Sequence, residues 1–251
     1  MGEALAIVSG KGGVGKTTIA ANLGTALALL GKKVVVLDTD VGLRNLDVAL
    51  GMENKIVYDM VDVLEGVCRI RQALIKDKRF EGLYLMSSSQ MRDKNTISPT
   101  QMKVLCSKLK EKYDYVIIDA PPGIEIGYQN AIAGADAVLL VTTPEIATIR
   151  DADKVLKDVQ SKGISRTMLI INKNRSDLII KGILPGIDQI IHTLKTDIIG
   201  IVPNDDNVFI SMNCGVPIAS KVDSTFNKVF SEMASRIAGE QIPLFNKATG
   251  E

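Results

Sequence analysis

Residues 4–23 read ALAIVSGKGGVGKTTIAANL and combine three local patterns. The apolar residues 4–8 have the length and composition of a buried strand. From Ile19 onward, apolar residues recur at helical spacing, which predicts a helix. Between them, residues 10–17 satisfy G-x-x-x-x-G-K-[ST] in the strand-loop-helix context that a phosphate-binding loop requires. The segment therefore predicts the first strand, phosphate loop and first helix of an α/β nucleotide-binding fold.

Each residue type in this loop has a chemical reason to be there. Glycines let successive backbone N–H groups turn towards a phosphate, and a helix beginning near Lys16 directs its positive dipole end at the same anion. We expect Lys16 to contact the β- and γ-phosphates of a nucleotide, and the Thr17 hydroxyl to bind Mg²⁺. The alternative is a glycine-rich turn without a ligand. The predicted nucleotide contacts are Gly10, Lys11, Gly12, Gly13, Val14, Gly15, Lys16, Thr17 and Thr18.

The rest of the chain repeats this alternation of strand and helix. Further apolar runs of strand length cover residues 34–37, 83–86, 115–118, 137–141, 168–171 and 198–202. Because most runs are continuous rather than alternating, they indicate strands buried on both faces of a parallel sheet. We predict a single-domain P-loop NTPase fold over residues 1–251, with a doubly wound, mostly parallel sheet and helices on both faces.

The composition is that of an ordinary globular protein. The 251 residues carry a formal net charge of +1, with 46% apolar and 24% charged residues. This balance gives no sign of a polyanionic partner. The three cysteines are widely spaced, so the sequence indicates neither a disulfide framework nor a CxxC metal site. With no signal peptide and no apolar run of about 18 residues, we expect the cytoplasm rather than secretion or a membrane span.

Carboxylates follow two of the predicted strands. Residues 37–47 read LDTDVGLRNLD, and residues 113–123 read YDYVIIDAPPG. In isolation, these aspartates are equally good turn and helix-capping residues. Beside a phosphate loop, we expect Asp38 and Asp119 to support Mg²⁺ and Asp40 to orient the water that attacks the γ-phosphate. Buried strand-end aspartates are costly unless a partner or cation is near, which favours this interpretation.

The string KGGVGKTT, residues 11–18, resembles the deviant Walker A loop of the MinD/ParA group of ATPases. Later strings, such as VGLRNLDVALGMENKIVYDMVDVLEG at 41–66 and TTPEIATIRDADKVL at 142–156, are similar to the bacterial MinD family within that group. In this family the leading lysine reaches across a dimer to the partner's nucleotide. The resemblance therefore implies that Lys11 acts in catalysis together with Lys16 and Asp40.

The same resemblance implies the base site and the biological role. The adenine would lie between Asn172 and the turn at residues 203–205, with Pro203 and Asp205 as contacts. The implied cofactors are ATP and Mg²⁺, and the implied active form is a homodimer in the ATP state. Such a dimer controls placement of the division septum by recruiting a MinC-type septation inhibitor and releasing it on hydrolysis. A MinE-type activator is left open.

The family resemblance also suggests a partner surface and a membrane contact. The implied surface comprises Arg44, Arg150, Asp151 and Asp153, for which a solvated first helical turn is the alternative at the last three. Members of the family usually end in a Lys-rich amphipathic helix that lies on the membrane. Residues 240–251 read EQIPLFNKATGE and predict a short polar tail without such a helix. We expect a cytoplasmic protein, with the inner face of the cell membrane as the family's other location.

Other function classes are weighed against this one. A ParA-like ATPase that positions DNA or cargo, or a paralogue without direct membrane binding, is the main alternative. DNA binding needs a basic surface, and the basic residues between 69 and 79 are interrupted by Asp77. We interpret that cluster as a solvated face and predict no nucleic-acid partner. An iron–sulfur carrier needs converging cysteines, and a scaffold that does not hydrolyse ATP is opposed by the intact Lys16, Thr17, Asp40 and Asp119.

Overall fold

The computed structural model describes residues 1–90 and 96–244. Within these residues the strands form one eight-stranded sheet in the order β3-β4-β2-β5-β1-β6-β7-β8. All neighbouring pairs run parallel except β3 and β4, which are antiparallel. The strands are β1 Glu3–Val8, β2 Val34–Asp38, β3 Ile75–Lys76, β4 Leu83–Met86, β5 Tyr115–Asp119, β6 Ala137–Thr142, β7 Thr167–Asn174 and β8 Asp197–Pro203.

Helices connect the strands, and several begin at a side chain that caps their free N–H groups. Ser98 accepts the N–H of Gln101 and precedes Pro99, a residue suited to the first turn of a helix. Short 3₁₀-helices cover Glu53–Lys55 and Ile218–Ser220. The α-helices are α1 Lys16–Leu29, α2 Leu46–Ala49, α3 Met60–Leu64, α4 Ile70–Ala73, α5 Pro99–Lys110, α6 Ile126–Ala133, α7 Ile146–Ser161, α8 Ser176–Ile180, α9 Ile187–Leu194, α10 Asp206–Asn213 and α11 Thr225–Ile237.

The core lies in two layers, one on each face of the sheet. In β1, Leu5 and Ile7 pack on one face with α1 and α11, whereas Ala4, Ala6 and Val8 pack on the other with α5, α6 and α7. Since successive strand residues point to opposite faces, a strand covered on both sides must be apolar at every position. The predicted doubly wound, mostly parallel sheet is confirmed.

The strand order brings the predicted site residues together at the carboxyl ends of the strands. β1 lies between β5 and β6, so the phosphate loop after β1 emerges beside the end of β5. Ile7 pairs with Asp119, and Asp38 at the end of β2 also pairs with Asp119. Ligands of open parallel sheets bind at the carboxyl ends of the strands. The register alone therefore places Asp38 and Asp119 side by side next to the loop.

The structure adds one strand to those predicted. β3 consists of two residues, Ile75 and Lys76, and pairs antiparallel with β4 at the sheet edge. Two residues are too short to show a strand period in the sequence.

No helix in the described parts of the chain combines the length and apolar character needed to cross a membrane. Of the predicted polar tail, residues 245–251 lie outside the described residues.

Candidate active site

A cleft of about 690 Å³ opens at the carboxyl ends of the strands. Its volume falls in the range of small-molecule sites. The predicted residues that line it are Gly12, Gly13, Gly15, Lys16, Thr17, Thr18, Asp38, Asp40, Asp119, Asn172, Pro203 and Asp205. Gly10, Lys11 and Val14 belong to the same loop, but they are not among the described residues that line the cleft.

The loop conformation depends on glycine at two places for different reasons. Gly15 has φ +99°, and a Cβ there would lie 2.2 Å from Nδ2 of Asn172. Gly10 packs against helix α7, where a Cβ would lie 2.5 Å from the carbonyl oxygen of Asp151. A side chain at either position would displace the loop. Gly10 therefore serves the contact with α7 and not the cleft wall.

Lys16 is held inside the cleft by a neighbour that the motif does not include. Its side chain is buried, and Nζ donates a hydrogen bond to Oγ of Ser9 at 2.9 Å. Ser9 in turn donates to the carbonyl oxygen of Lys11 at 2.8 Å. Burial lowers the pKa of Lys16, while the carboxylates of Asp119 and Asp40 counteract this effect. The ammonium group is thus oriented before any phosphate binds.

Lys11 occupies a different environment from Lys16. It is exposed, and it directly precedes the lining residue Gly12. Its backbone is fixed by the bond from Ser9, whereas its side chain faces solvent. A long cation on a fixed backbone can reach a second molecule. The catalytic role across a dimer stays a prediction.

Asp38 is buried and anchors the segment that follows it. Its Oδ1 accepts the N–H of Asp40 at 3.0 Å. Its Oδ2 accepts the N–H groups of Asn45 at 3.1 Å and Leu46 at 3.2 Å, at the start of α2. Burial raises the pKa of Asp38, and these backbone hydrogen bonds partly offset the rise. The carboxylate thereby fixes both Asp40 and α2 relative to the sheet.

The environment of Asp119 raises the pKa of its carboxyl group. It is buried, and Oδ1 has no hydrogen-bond partner among the described residues. Burial and then the charge of Asp38 raise its pKa, whereas a hydrogen bond from Thr17 lowers it. A divalent cation next to the carboxylates of Asp38 and Asp119 would offset their mutual repulsion and lower the pKa that this repulsion raises. The chemistry of Thr17, Asp38 and Asp119 is compatible with a magnesium ion, and their role as its ligands stays a prediction.

Asp40 lies half-buried in the cleft wall beyond Asp38. Its N–H is held by Asp38, and its carbonyl oxygen accepts a hydrogen bond from Oγ of Ser88 at 3.1 Å. Both backbone groups are therefore fixed, and the side chain lines the same cavity as Lys16. This placement is compatible with the predicted role in orienting water.

The ends of β7 and β8 form the other side of the cleft. Nδ2 of Asn172 donates to the carbonyl oxygen of Val14 at 2.7 Å, and Nζ of Lys173 donates to that of Gly13, also at 2.7 Å. β7 thus braces the phosphate loop. Asp205 caps α10 by accepting the N–H of Asn207 at 2.7 Å. The residues predicted to contact the base line the cleft. The sequence did not predict the hydrogen bond from Asn172 to the phosphate loop.

Two short helices complete the wall and were not predicted as part of the site. From α2 come Val48 and Ala49, and from α10 come Val208, Phe209, Met212 and Asn213. The available signal was the apolar residues Val208, Phe209 and Met212, which begin three residues after the turn at 203–205. An apolar surface of this kind suits the flat face of a nucleotide base.

Known proteins resemble this chain over nearly its whole length. The AAA domain family matches residues 2–174. The septum site-determining protein MinD of Bacillus subtilis is 51% identical over 246 residues, which cover 97% of this chain and 92% of that protein. The chain belongs to the MinD family. It is therefore an ATPase, as the phosphate loop predicted.

Solved structures of MinD proteins confirm the fold. The chain matches one from a MinC:MinD cell division protein complex of Aquifex aeolicus with a TM-score of 0.91 and 41% identity, covering 97% of this chain and 99% of that one. It matches MinD complexed with Mg-ADP from Pyrococcus horikoshii with a TM-score of 0.85 and 28% identity, covering 94% and 96%.

The predicted partner residues of this MinD family member lie on two segments. Arg44 has φ +28° and pairs with Asp47, with 2.7 Å between Nε and Oδ2. Arg150 is exposed on α7. On the same helix, Asp151 and Asp153 form ion pairs with Lys154 at 3.1 Å and Lys157 at 2.6 Å. Asp151 packs directly against Gly10, so this part of α7 adjoins the phosphate loop.

Proposed function

We propose that this chain is a nucleotide-switched ATPase that dimerises in its ATP state and takes part in placing the division septum through a MinC-type inhibitor. The observation that carries the proposal is the contrast between two lysines of one loop. Lys16 is buried in the cleft beside Asp119, whereas Lys11 is exposed next to its edge. A group that faces solvent beside an otherwise complete phosphate site is suited to complete the site of another molecule.

Within one subunit, the chain's groups bind and orient the nucleotide. Backbone N–H groups of the loop and the start of α1 surround the phosphates, and Lys16, oriented by Ser9, adds a positive charge. Thr17, Asp38 and Asp119 would hold Mg²⁺, which would supply positive charge beside the phosphates. Asp40, fixed through Asp38, accepts a hydrogen bond from the attacking water and orients it.

Lys11 of the second subunit would supply the remaining charge. Phosphoryl transfer builds negative charge on the transferred group, and a cation supplied in trans accelerates it by roughly 10³ to 10⁵. Hydrolysis would then depend on dimerisation, and the products would release the subunits. A switch of this kind links partner binding to the nucleotide state.

The inhibitor-binding part of the proposal rests on a relative. The Aquifex aeolicus chain at 41% identity was solved in a MinC:MinD complex. In this chain, Arg44 and the exposed side of α7 with Arg150, Asp151 and Asp153 are our candidates for such a contact. Both segments adjoin the cleft through Asp38 and Gly10, so a partner there would sense the nucleotide.

A mixing experiment tests whether Lys11 acts on the partner's nucleotide. Lys11→Ala and Asp40→Ala variants are each expected to lose ATP hydrolysis. In an equal mixture, a mixed dimer has one site with its own Asp40 and with Lys11 from the other subunit. The mixed dimer keeps one Lys11 at its interface and holds one such site of two, so the mixture should regain hydrolysis, on the order of a quarter of the parental rate, that neither variant has alone.

The control replaces an exposed lysine on helix α7, Lys154→Ala, and this variant alone should hydrolyse ATP at the parental rate. If Lys11 acted within its own subunit, the mixture would contain no complete site and would be as inactive as either variant. That outcome would refute the role of Lys11 in trans.

A further inference from the structure

Arg79 belongs to the basic cluster that the sequence analysis assigned to a solvated face, and its side chain is 37% exposed. Its guanidinium nevertheless binds backbone carbonyl groups of the protein. Nη1 donates a hydrogen bond to the carbonyl oxygen of Gly215 at 2.8 Å. Nη2 donates to the carbonyl oxygen of Leu50. These two carbonyl groups belong to segments more than 160 residues apart in the chain, and one planar side chain joins them.

A tight turn between β3 and β4 holds this guanidinium in place. The carboxylate of Asp77 is buried, and Oδ1 accepts the N–H of Arg79 at 2.8 Å and Nε at 3.1 Å. Oδ2 of Asp77 accepts a hydrogen bond from Nη2 of Arg79 at 2.7 Å. The guanidinium carbon also lies 5.2 Å from the centre of the Phe80 ring. The planar donor fork is thus oriented by several partners, which lowers the entropy lost for each further bond.

The two carbonyl groups sit at the ends of the helices that form one wall of the cleft. Leu50 directly follows α2, and Gly215 lies two residues after α10. Carbonyl groups at helix ends have no partner within the helix, and a cationic side chain is suited to bind them. The backbones also touch, because a Cβ on Gly51 would lie 2.7 Å from the oxygen of Gly215.

The same two helices face the nucleotide cleft with their other residues. Ala49 of α2 and Met212 of α10 both line it, and α2 packs against α10. The first turn of α2 is anchored on Asp38, at the proposed magnesium site. The carbonyl group of Leu50, directly after α2, is bound by Arg79. Besides the direct packing of the two helices, Arg79 therefore links the end of the metal-side helix α2 to the segment after the base-side helix α10.

We propose that Arg79 is a positioning residue for nucleotide binding, which sets the spacing of α2 and α10 by capping both helix ends. It touches neither nucleotide nor metal and acts through the wall. The proposal rests on the proposed function only in taking a nucleotide as the ligand of the cleft. It does not depend on dimerisation or on hydrolysis, because the wall belongs to a single subunit.

The test measures Mg-ADP affinity of the full chain by calorimetry, together with ATP turnover at saturation. We expect Arg79→Ala to weaken ADP binding about tenfold, equivalent to about 1.4 kcal/mol. Turnover at saturating ATP should stay within about twofold, since the phosphate-side residues keep their contacts. In Arg79→Lys a single ammonium group replaces the guanidinium that binds two carbonyl groups. This variant should therefore have an ADP affinity between those of the parent and Arg79→Ala.

Arg236 provides a matched control. Its guanidinium also binds backbone carbonyl groups, with Nη1 2.8 Å from the oxygen of Ile199 and Nε 3.0 Å from that of Ile242. Those groups belong to β8 and to the segment after α11, and Arg236 is not among the described residues that line the cleft. Arg236→Ala should lower the unfolding temperature while ADP affinity stays at the parental value.

The proposal is overturned if Arg79→Ala lowers the unfolding temperature as Arg236→Ala does and still binds ADP like the parent. If Arg79→Ala does not fold, parental affinity in Arg79→Lys overturns it equally. A parental chain that binds no Mg-ADP would instead contradict the proposed function itself, so the two failures are distinct.

Discussion

Asp119 is a buried carboxylate of the cleft whose charge is costly in the nucleotide-free chain. Its carboxylate is 3% exposed, and Oδ1 has no hydrogen-bond partner among the described residues. Burial and the neighbouring charge of Asp38 both raise its pKa. Burying a charged group without full compensation is unfavourable, so the chain retains this aspartate at the expense of stability. A cation that binds there would offset that cost.

We therefore predict opposite effects of Asp119→Asn on stability and on metal binding. The amide has no charge to desolvate, so the metal-free variant should unfold about 2–4 °C higher than the parent, equivalent to about 1 kcal/mol. Mg²⁺ should bind its ADP complex roughly 10- to 100-fold more weakly. Thermal unfolding in a chelator and a Mg²⁺ titration measure the two effects.

Asp47 supplies the control for this prediction. It is as buried as Asp119, but it has an ion-pair partner in Arg44 at 2.7 Å. Asp47→Asn breaks that pair and should lower the unfolding temperature. Should Asp119→Asn be destabilised to the same degree, Asp119 would be a structural carboxylate like Asp47, and the assignment to the metal site would be wrong.

The residues that the sequence predicted are those whose chemistry is encoded locally. Lys16 and Thr17 follow from a motif eight residues long, and Asp119 follows from an apolar run that ends in a carboxylate. Ser9 was missed because nothing in the motif requires a hydroxyl there. The bond from Asn172 to Val14 joins residues 158 positions apart, and such a contact arises only from the sheet topology.

Among the elements, α1 links the packing of the core to the nucleotide site. Its first residues, Lys16 and Thr17, line the cleft, and its middle lies on the sheet at β2. Gly24 makes the close approach possible, because a Cβ there would lie 2.6 Å from Cγ2 of Val36. Glycine inside a helix costs about 1 kcal/mol relative to alanine, so this close packing has to outweigh the lost helix propensity.

Gly24→Ala is expected to destabilise the chain by about 1–2 kcal/mol, because overpacking against a stiff valine exceeds the gain in helix propensity. Urea unfolding measures the change. The control is Gly186→Ala, where a Cβ would meet nothing within 4 Å, and its effect should stay below about 1 kcal/mol. A Gly24→Ala variant more stable than the parent would show that α1 does not need this close contact.

The predicted elements were those with a long period or a clear end signal. Continuous apolar runs identified the parallel strands, and residues 102–109 and 226–237 identified α5 and α11. The helices α2 and α10 were missed as walls of the site because their role depends on contact with each other. A helix of four residues such as α2 also has too few turns to show a period.

At the level of the whole molecule, the carboxyl ends of the strands form the phosphate-binding cleft and lie beside the surface proposed to contact a second copy. The strand order brings the ends of β1, β2, β5, β7 and β8 to a single cleft, which holds the groups needed for phosphate binding. Beside this cleft stand the exposed Lys11 and the start of α7. Surfaces that adjoin a nucleotide site are suited to report its state to a second molecule. The proposed dimer places a second copy there.

The measurement that bears on this dimer is the molar mass by light scattering in three samples. With ADP, the parental chain should have the mass of a monomer, 27.1 kDa. With ATP and an Asp40→Ala change that slows hydrolysis, the mass should double. Adding Lys11→Ala to that variant should restore the monomer. A mass that does not respond to nucleotide, or a dimer that persists without Lys11, would contradict the nucleotide-switched dimer.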